Sequence, residues 1–274
     1  MYPYIVFLGM GIYDILLSVA VVLSLFLADK MGMYRGFSVK LQKTLVISVV
    51  CAVLCGLVGA VFFQSVYDWI KYGEFSLNAG MTFYGGLIFG IAFFLLAWFL
   101  LGKYFCKTDE AKKKFGNVAD IAACIIPLAH GLGRLGCLTA GCCHGRSTDA
   151  WYGIKMYTEQ GWQRVVPVQL FEALFLFVLS AVMFWLFFKK FGKENKGRFP
   201  LLPVYAIVYG VWRFLIEYVR GDDVGATIVS FLSPSQLVAI VMIVAGIAYL
   251  AVWYHRAKHK PNEQVAVAEN NNKE

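Results

Sequence analysis

Thr82-Phe83-Tyr84-Gly85-Gly86-Leu87-Ile88-Phe89-Gly90-Ile91-Ala92-Phe93-Phe94-Leu95-Leu96-Ala97-Trp98-Phe99-Leu100-Leu101 is an apolar stretch without a charged side chain. About 20 helical residues at a rise of about 1.5 Å each cross the ~30 Å hydrocarbon core of a bilayer. Within that core only a helix or a closed barrel satisfies its own backbone polar groups. Six further apolar runs flank this one, at about residues 12–27, 45–66, 118–136, 166–188, 199–218 and 234–254. The chain is 59% hydrophobic and 15% charged. The expected fold class is therefore all-α: a polytopic membrane helical bundle of about seven transmembrane helices. Residues 1–260 are read as a single transmembrane domain and the polar, Asn- and Glu-rich residues 261–274 as a disordered cytoplasmic tail. Met1-Tyr2-Pro3-Tyr4 carries no basic n-region, so a cleaved signal peptide is not expected.

The net charge of +8 is informative through its placement. Eighteen of the 25 Lys and Arg residues fall in alternate loops, at 30–43, 103–114, 189–198 and 256–273. An excess of Lys and Arg marks cytoplasmic loops, which puts the N-terminus outside and the C-terminus in the cytoplasm. The same side chains suit anionic membrane lipids, and nucleic acid is not an expected partner. The other seven are Lys71, Arg134, Arg146, Lys155, Arg164, Arg213 and Arg220, all in spans or in outward-facing segments. A cation in hydrocarbon is costly unless it finds a partner or a wet cavity. Any single arginine accommodates this by snorkelling to the interface. Their convergence on one side favours a cationic cavity that opens outward.

Three segments contribute to that cavity. Gly133-Arg134-Leu135-Gly136-Cys137-Leu138-Thr139-Ala140-Gly141-Cys142-Cys143-His144-Gly145-Arg146 closes the fourth span with cations, thiols and an imidazole. Tyr205, Tyr209, Arg213 and Glu217 recur every four residues and share one helix face, followed by Arg220, Asp222 and Asp223. That face reads either as a structural seam with Arg213 paired to Glu217 or as an anion site. Tyr84-Gly85-Gly86 opens the third span, where glycines admit close approach of another helix or of a ligand. Gln169 and Glu172 share a face near the outer start of the fifth span. Residues 138–164 form the longest outer insertion, and 64–81 a second outer segment with Tyr67, Trp69 and Tyr72 suited to the interface.

An ordered set of motifs resembles the prolipoprotein diacylglyceryl transferase family of bacterial inner-membrane enzymes. These are Arg134 in Gly-Arg-Leu-Gly, Gly145-Arg146, Trp151-Tyr152-Gly153, Pro167-Val168-Gln169-Leu170-Phe171-Glu172, Tyr209-Gly210-Val211-Trp212-Arg213, Glu217-Tyr218-Val219-Arg220-Gly221-Asp222-Asp223 and Leu232-Ser233-Pro234-Ser235-Gln236. They cover roughly residues 82–254. The resemblance implies phosphatidylglycerol as donor and, as acceptor, a prolipoprotein signal peptide bearing a lipobox cysteine. A thioether forms and glycerol phosphate leaves; no cofactor and no metal is implied. On this reading Arg134 and Arg213 bind the headgroup and stabilise the leaving phosphate, because the guanidinium fork donates two parallel hydrogen bonds. Tyr84 and His144 join them as catalytic candidates. Gly85, Gly86, Gly145, Arg146, Tyr209, Glu217 and Arg220 complete the expected substrate-binding set, and Asp223 is an expected orienter.

Two departures from the family's pattern bear on mechanism. Its His-Gly-Gly is Tyr84-Gly85-Gly86 here, and its Asn-x-x-Asn-Gly-Glu is Cys137-Leu138-Thr139-Ala140-Gly141-Cys142. A same-fold lipid transferase with another acceptor and a non-catalytic binder or transporter of anionic lipid are the alternative readings. His130, four residues before Arg134, and His144 are candidates to replace the family's imidazole, His130 reading first as a hydrogen-bonded buried histidine. Cys137, Cys142 and Cys143 are read first as packed free thiols, with a disulfide from Cys137, a metal site and a direct catalytic part as the other possibilities.

Overall fold

The computed structural model describes residues 11–73, 75–77, 80–106, 109–158, 161–192, 199–221 and 232–271. Seven helices carry seven apolar membrane spans: α1 (Ile12–Tyr34), α2 (Val39–Tyr72), α3 (Phe83–Cys106), α4 (Glu110–Ala140), α5 (Val168–Trp185), α6 (Leu201–Ile216) and α7 (Pro234–Asn271). The expected seven-helix membrane architecture is the observed one. Helices overrun the apolar windows where capping lets them. Ser38 accepts a hydrogen bond from the Leu41 N–H and starts α2, and Gly73, at φ +78°, ends it. Residues 64–72 are thus helix, although the sequence reading assigns them to an outer segment. α7 runs from Pro234 to Asn271 and so includes residues 261–271. Good helix formers such as Glu263, Gln264, Ala266 and Ala268 occupy that stretch.

The sequence reading contains no strand, and the structure adds an antiparallel hairpin within the outer insertion. Strand β1 (Ile154–Thr158) pairs with β2 (Gly161–Val165), with Ile154 opposite Val165 and Tyr157 opposite Trp162. Gly161 supplies the positive φ of +94° at the turn.

The chain divides into two compact units. One consists of Met1–Asp14, His130–Met183 and Phe199–Glu274; the other of Ile15–Ala129 and Phe184–Arg198. In the second unit α2 and α3 meet through glycine. A Cβ on Gly85 would lie 2.5 Å from the Gly59 carbonyl oxygen, and one on Gly59 2.8 Å from the Gly85 oxygen. Only hydrogen fits at either place. Gly56 and Gly86 repeat the arrangement one turn away, at 3.2 and 3.3 Å. Lipid tails give helices no hydrophobic reason to associate, so close backbone approach supplies the packing. Thr82 ties the start of α3 to α2, its hydroxyl donating to Gln64 Oε1 (2.7 Å) and its N–H to the Ala60 carbonyl (3.0 Å).

In the first unit Val166, Val168 and Ile216 form a buried cluster, with Phe171 and Trp212 packed against it. Phe175 stacks on Trp212 at 4.2 Å. This apolar packing joins the loop before α5 to α6 and fixes the base of the polar network that follows.

Candidate functional site

Arg134 sits near the end of α4, Glu172 in the second turn of α5, and Tyr209 and Arg213 on α6. Arg134 Nε lies 2.8 Å from Glu172 Oε2, and its Nη2 donates to Oε1 at 3.2 Å. Only the Nη2 contact has hydrogen-bond geometry, so the pair is one directed bond plus a close ionic contact. Glu172 is 1% exposed and also accepts from the Tyr209 hydroxyl at 3.1 Å. His130, one turn before Arg134, brings Nε2 to 3.9 Å from the same carboxylate and packs edge-on against the Tyr209 ring at 5.3 Å.

A second carboxylate organises the end of α6. Arg213 Nη2 is 3.0 Å from Glu217 Oε2 and donates to Ser235 Oγ at 2.7 Å. Ser233 donates to Glu217 Oε1 at 2.7 Å, and Arg220 Nε lies 3.7 Å from Oε2. The Arg213–Glu217 pair foreseen as a structural seam is therefore present, and Arg220 widens it. Arg213 Nη1 is buried without a hydrogen-bond acceptor among the described residues. The two groups are electrostatic neighbours, since Tyr209 experiences the charges of both Arg134 and Arg213. Three guanidiniums, Arg134, Arg213 and Arg220, thus face two carboxylates, Glu172 and Glu217, among the described residues.

Gly145-Arg146 runs between two backbone segments. Gly145 N–H donates to the Val166 carbonyl (2.9 Å), Arg146 N–H to Val219 (3.1 Å) and Gly221 N–H to His144 (3.3 Å). A Cβ on Gly221 would lie 2.7 Å from the Arg146 nitrogen, and one on Gly145 2.7 Å from Val168 Cγ2. Both glycines are required by close approach. Arg146 is exposed and donates from Nε to the Arg220 carbonyl at 3.3 Å. His144 has Nδ1 2.9 Å from its own neighbour's carbonyl, that of Gly145. Of the two histidines singled out from sequence, His130 is the one that meets a buried carboxylate.

The three cysteines come together through the end of α4. Gly141, at φ +76°, takes the left-handed conformation after the helix. Its N–H reaches the Leu138 carbonyl (3.3 Å), and the Cys142 N–H reaches Cys137 (3.2 Å). These two bonds are those of a Schellman cap, which brings the side chains of Cys137 and Cys142 side by side. Cys143 has φ +60°, rare for a residue with a side chain, and turns the chain again. All three Sγ atoms lie within 4.8 Å of one another. Buried Gln169 pins the turn by donating to the Cys142 carbonyl at 2.6 Å. Hydrogen bonds from the Cys137 and Cys142 thiols hold Cys143 below the ordinary thiol range, with Arg134 and Arg220 adding to the effect and burial opposing it.

Tyr84, Gly85 and Gly86 belong to the other unit, where the two glycines form the seam with α2 and Tyr84 packs edge-on against Phe83. Asp222 and Asp223 lie outside the described residues. Sequence reasoning missed Ser233 and Ser235 as partners. Ser233-Pro234-Ser235-Gln236 is a capping box at the start of α7: Gln236 N–H donates to Ser233 Oγ (3.2 Å) and Ser233 N–H to Gln236 Oε1 (3.0 Å). That spacing, with proline at the first helical position, is the signal that identifies a fixed helix start beside Glu217.

Fold and site together define a multi-pass membrane protein with a buried, arginine-rich polar network. The chain belongs to the prolipoprotein diacylglyceryl transferase family, whose profile matches residues 3–252. It is 28% identical over 249 residues to phosphatidylglycerol–prolipoprotein diacylglyceryl transferase 2 of Clostridium perfringens, covering 86% of this chain and 88% of that one. It is 30% identical to the corresponding transferase of Actinobacillus pleuropneumoniae serotype 3 (75% and 74% covered). With that of Aeromonas salmonicida the identity is 32% (73% and 68% covered).

Proposed function

We propose that this protein transfers the diacylglyceryl moiety of phosphatidylglycerol to the lipobox cysteine of a prolipoprotein in the bacterial inner membrane. The observation that carries the reading is the convergence of Arg134, Arg213 and Arg220 in one network of the described residues, with Arg213 Nη1 buried and without an acceptor there, a donor that suits a phosphodiester oxygen. The acceptor sulfur, as thiolate, attacks the glycerol carbon that bears the phosphate. The S–C bond forms, the C–O bond breaks, and its electron pair leaves on glycerol phosphate, while the thiol proton passes to the surrounding water or base. Arg134 and Arg213 hold the phosphate and stabilise the charge that develops on the leaving oxygen. Glu172 and Glu217 set the angle of the two forks. Tyr209 and Arg220 extend the binding surface, Gly145-Arg146 borders it, and Tyr84 orients the headgroup by hydrogen bonding. Thiolate formation is driven mainly by the arginine field, because a phenol with a reference pKa of about 10 is a poor base.

The site opens on the outer face, with both the lysine-rich loops and the C-terminus cytoplasmic. Labelling of single introduced cysteines is expected to find 112–114 inside and 150–155 outside; the reverse would point the arginines at the cytoplasm and end this reading. The direct test is turnover with phosphatidylglycerol vesicles and a lipobox peptide, scored as thioether-linked product. Lipid binding without product would make the protein a binder and not a transferase.

A further inference from the structure

We propose that the Sγ atoms of Cys137, Cys142 and Cys143 form a binding site for a single thiophilic cation of the zinc class, with its fourth position open to an incoming thiol. The site is built by the backbone before any ion arrives. The Schellman cap places the third residue from the helix end beside the second residue after it, here Cys137 and Cys142. That pair of positions ordinarily holds an apolar contact; here both are sulfur. The left-handed turn at Cys143 then adds the third. Four-coordinate zinc has Zn–S distances of about 2.3 Å, which sets S···S separations of roughly 3.8 Å. The three sulfurs already lie within 4.8 Å of one another, so side-chain rotation of less than about 1 Å closes the set.

Charge favours the same occupant. Three thiolates and one divalent cation carry one net negative charge, and Arg134 and Arg220 act on these sulfurs as positive neighbours. A disulfide requires two sulfurs and would leave the third without a role. Direct bonding of Cys142 to Cys143 is also disfavoured, because adjacent Cα atoms lie about 3.8 Å apart, short of the usual disulfide span. Cys142 is exposed, so one side of the set stays accessible. Three protein ligands with one free position are the arrangement of a catalytic, as opposed to a structural, zinc site. A thiol that coordinates there loses its proton to solvent outright. On the transferase reading above, on which this last point rests, that thiol is the acceptor's, and the ion adds to the arginine field that favours its thiolate.

The test uses the full-length protein, reduced and in nanodiscs, with Co2+ as the probe. One equivalent is expected to give sulfur-to-cobalt charge-transfer absorption and the intense visible bands of tetrahedral cobalt. Cys142→Ser and Cys143→Ser should each remove that spectrum, while a variant with Cys51, Cys55, Cys106 and Cys124 all replaced by Ser keeps it. Without any substitution, Zn2+ should slow alkylation of Cys142 by about tenfold or more, since the free thiolate is the reactive species, and leave Cys51 unaffected. A peptide with a lipobox cysteine should shift the cobalt bands and its serine analogue should not. Absent bands, bands that survive both single substitutions, or loss of two thiols to a disulfide in place of metal uptake would overturn the site. Bands that ignore the cysteine peptide would overturn the open position. None of these readouts requires turnover, so they fail or succeed independently of the transfer assay.

Discussion

The α2–α3 seam and the network of α4, α5 and α6 solve the same problem with opposite chemistry. In the seam, Gly59 and Gly85 bring two backbones so close that no side chain fits between them. In the network, Arg134, Tyr209 and Glu172 meet through charge and hydrogen bonds, with the carboxylate 1% exposed. Neither draws on hydrophobic burial, which is weak between helices in lipid. The seam is shape alone and has no groups left over for chemistry. The network instead brings three guanidiniums to two carboxylates among the described residues. Replacing a buried ion pair by apolar residues is often neutral or stabilising, so on the function proposed above Arg134 and Arg213 serve a ligand.

The largest effect that would break this contrast is loss of an arginine. Arg134→Ala or Arg213→Ala is expected to lower turnover on the order of 10² or more, as for removal of a preorganised charge stabiliser. Lys at either position should restore it only in part, because the fork is lost. Near-normal transfer by an inserted Arg213→Ala protein would return the network to a structural part. The seam should respond in stability instead. Gly85→Ala puts a Cβ 2.5 Å from the Gly59 oxygen and is expected to destabilise by about 1–3 kcal/mol in detergent unfolding. Gly90→Ala, whose Cβ would be 3.4 Å from the Ala52 oxygen, should cost less. Equal effects would show that the seam is not packed as described.

Tyr84 borders the two glycines of the seam, and its substitution sharpens the comparison further. Tyr84→Phe is expected to cost about tenfold in turnover, the size of one hydrogen bond, and Tyr84→His to be tolerated. His130→Ala and His144→Ala should each stay within that same range. Complete loss in either histidine variant, with Tyr84→Phe silent, would assign the base to that histidine. The smallest effect is one of reactivity. Cys143 is held below the ordinary thiol range. Its alkylation rate should therefore fall less steeply between pH 8 and pH 6 than that of an ordinary thiol, which slows roughly tenfold per unit below its pKa of about 8.5. A tenfold fall per unit at Cys143, read by mass spectrometry, would contradict the placement of its neighbours.

The seven spans were legible because span length is fixed by bilayer thickness, and runs such as 82–101 meet it without interruption. The ends of the helices were less so. Caps at Ser38 and Gly73 extend α2 beyond its apolar run, and hydropathy does not register them. The β1–β2 hairpin escaped notice because its alternation covers only five residues a strand, with Lys155 and Arg164 on the exposed side. Among site residues, the pairing of Arg213 with Glu217 followed from spacing. That of Arg134 with Glu172 did not, since 38 residues separate them and no periodicity connects two helices. The convergence of Cys137 with Cys142 was recoverable in principle, because Gly141 between them signals the cap.

Arg213 and Arg134 also differ in how they reach the membrane during synthesis. Glu217 follows Arg213 by four residues, so the pair emerges within one helical turn of chain and enters already neutralised. Arg134 precedes Glu172 by 38 residues, which at about 5–20 residues per second is a delay of roughly 2–8 seconds. For that interval the end of α4 carries an uncompensated charge, and lipid is a poor place to hold it. The nascent α4 is therefore expected to wait in the polar surroundings of the insertion machinery or at the headgroup layer until α5 arrives, which makes the order of helix delivery a condition for assembling the site.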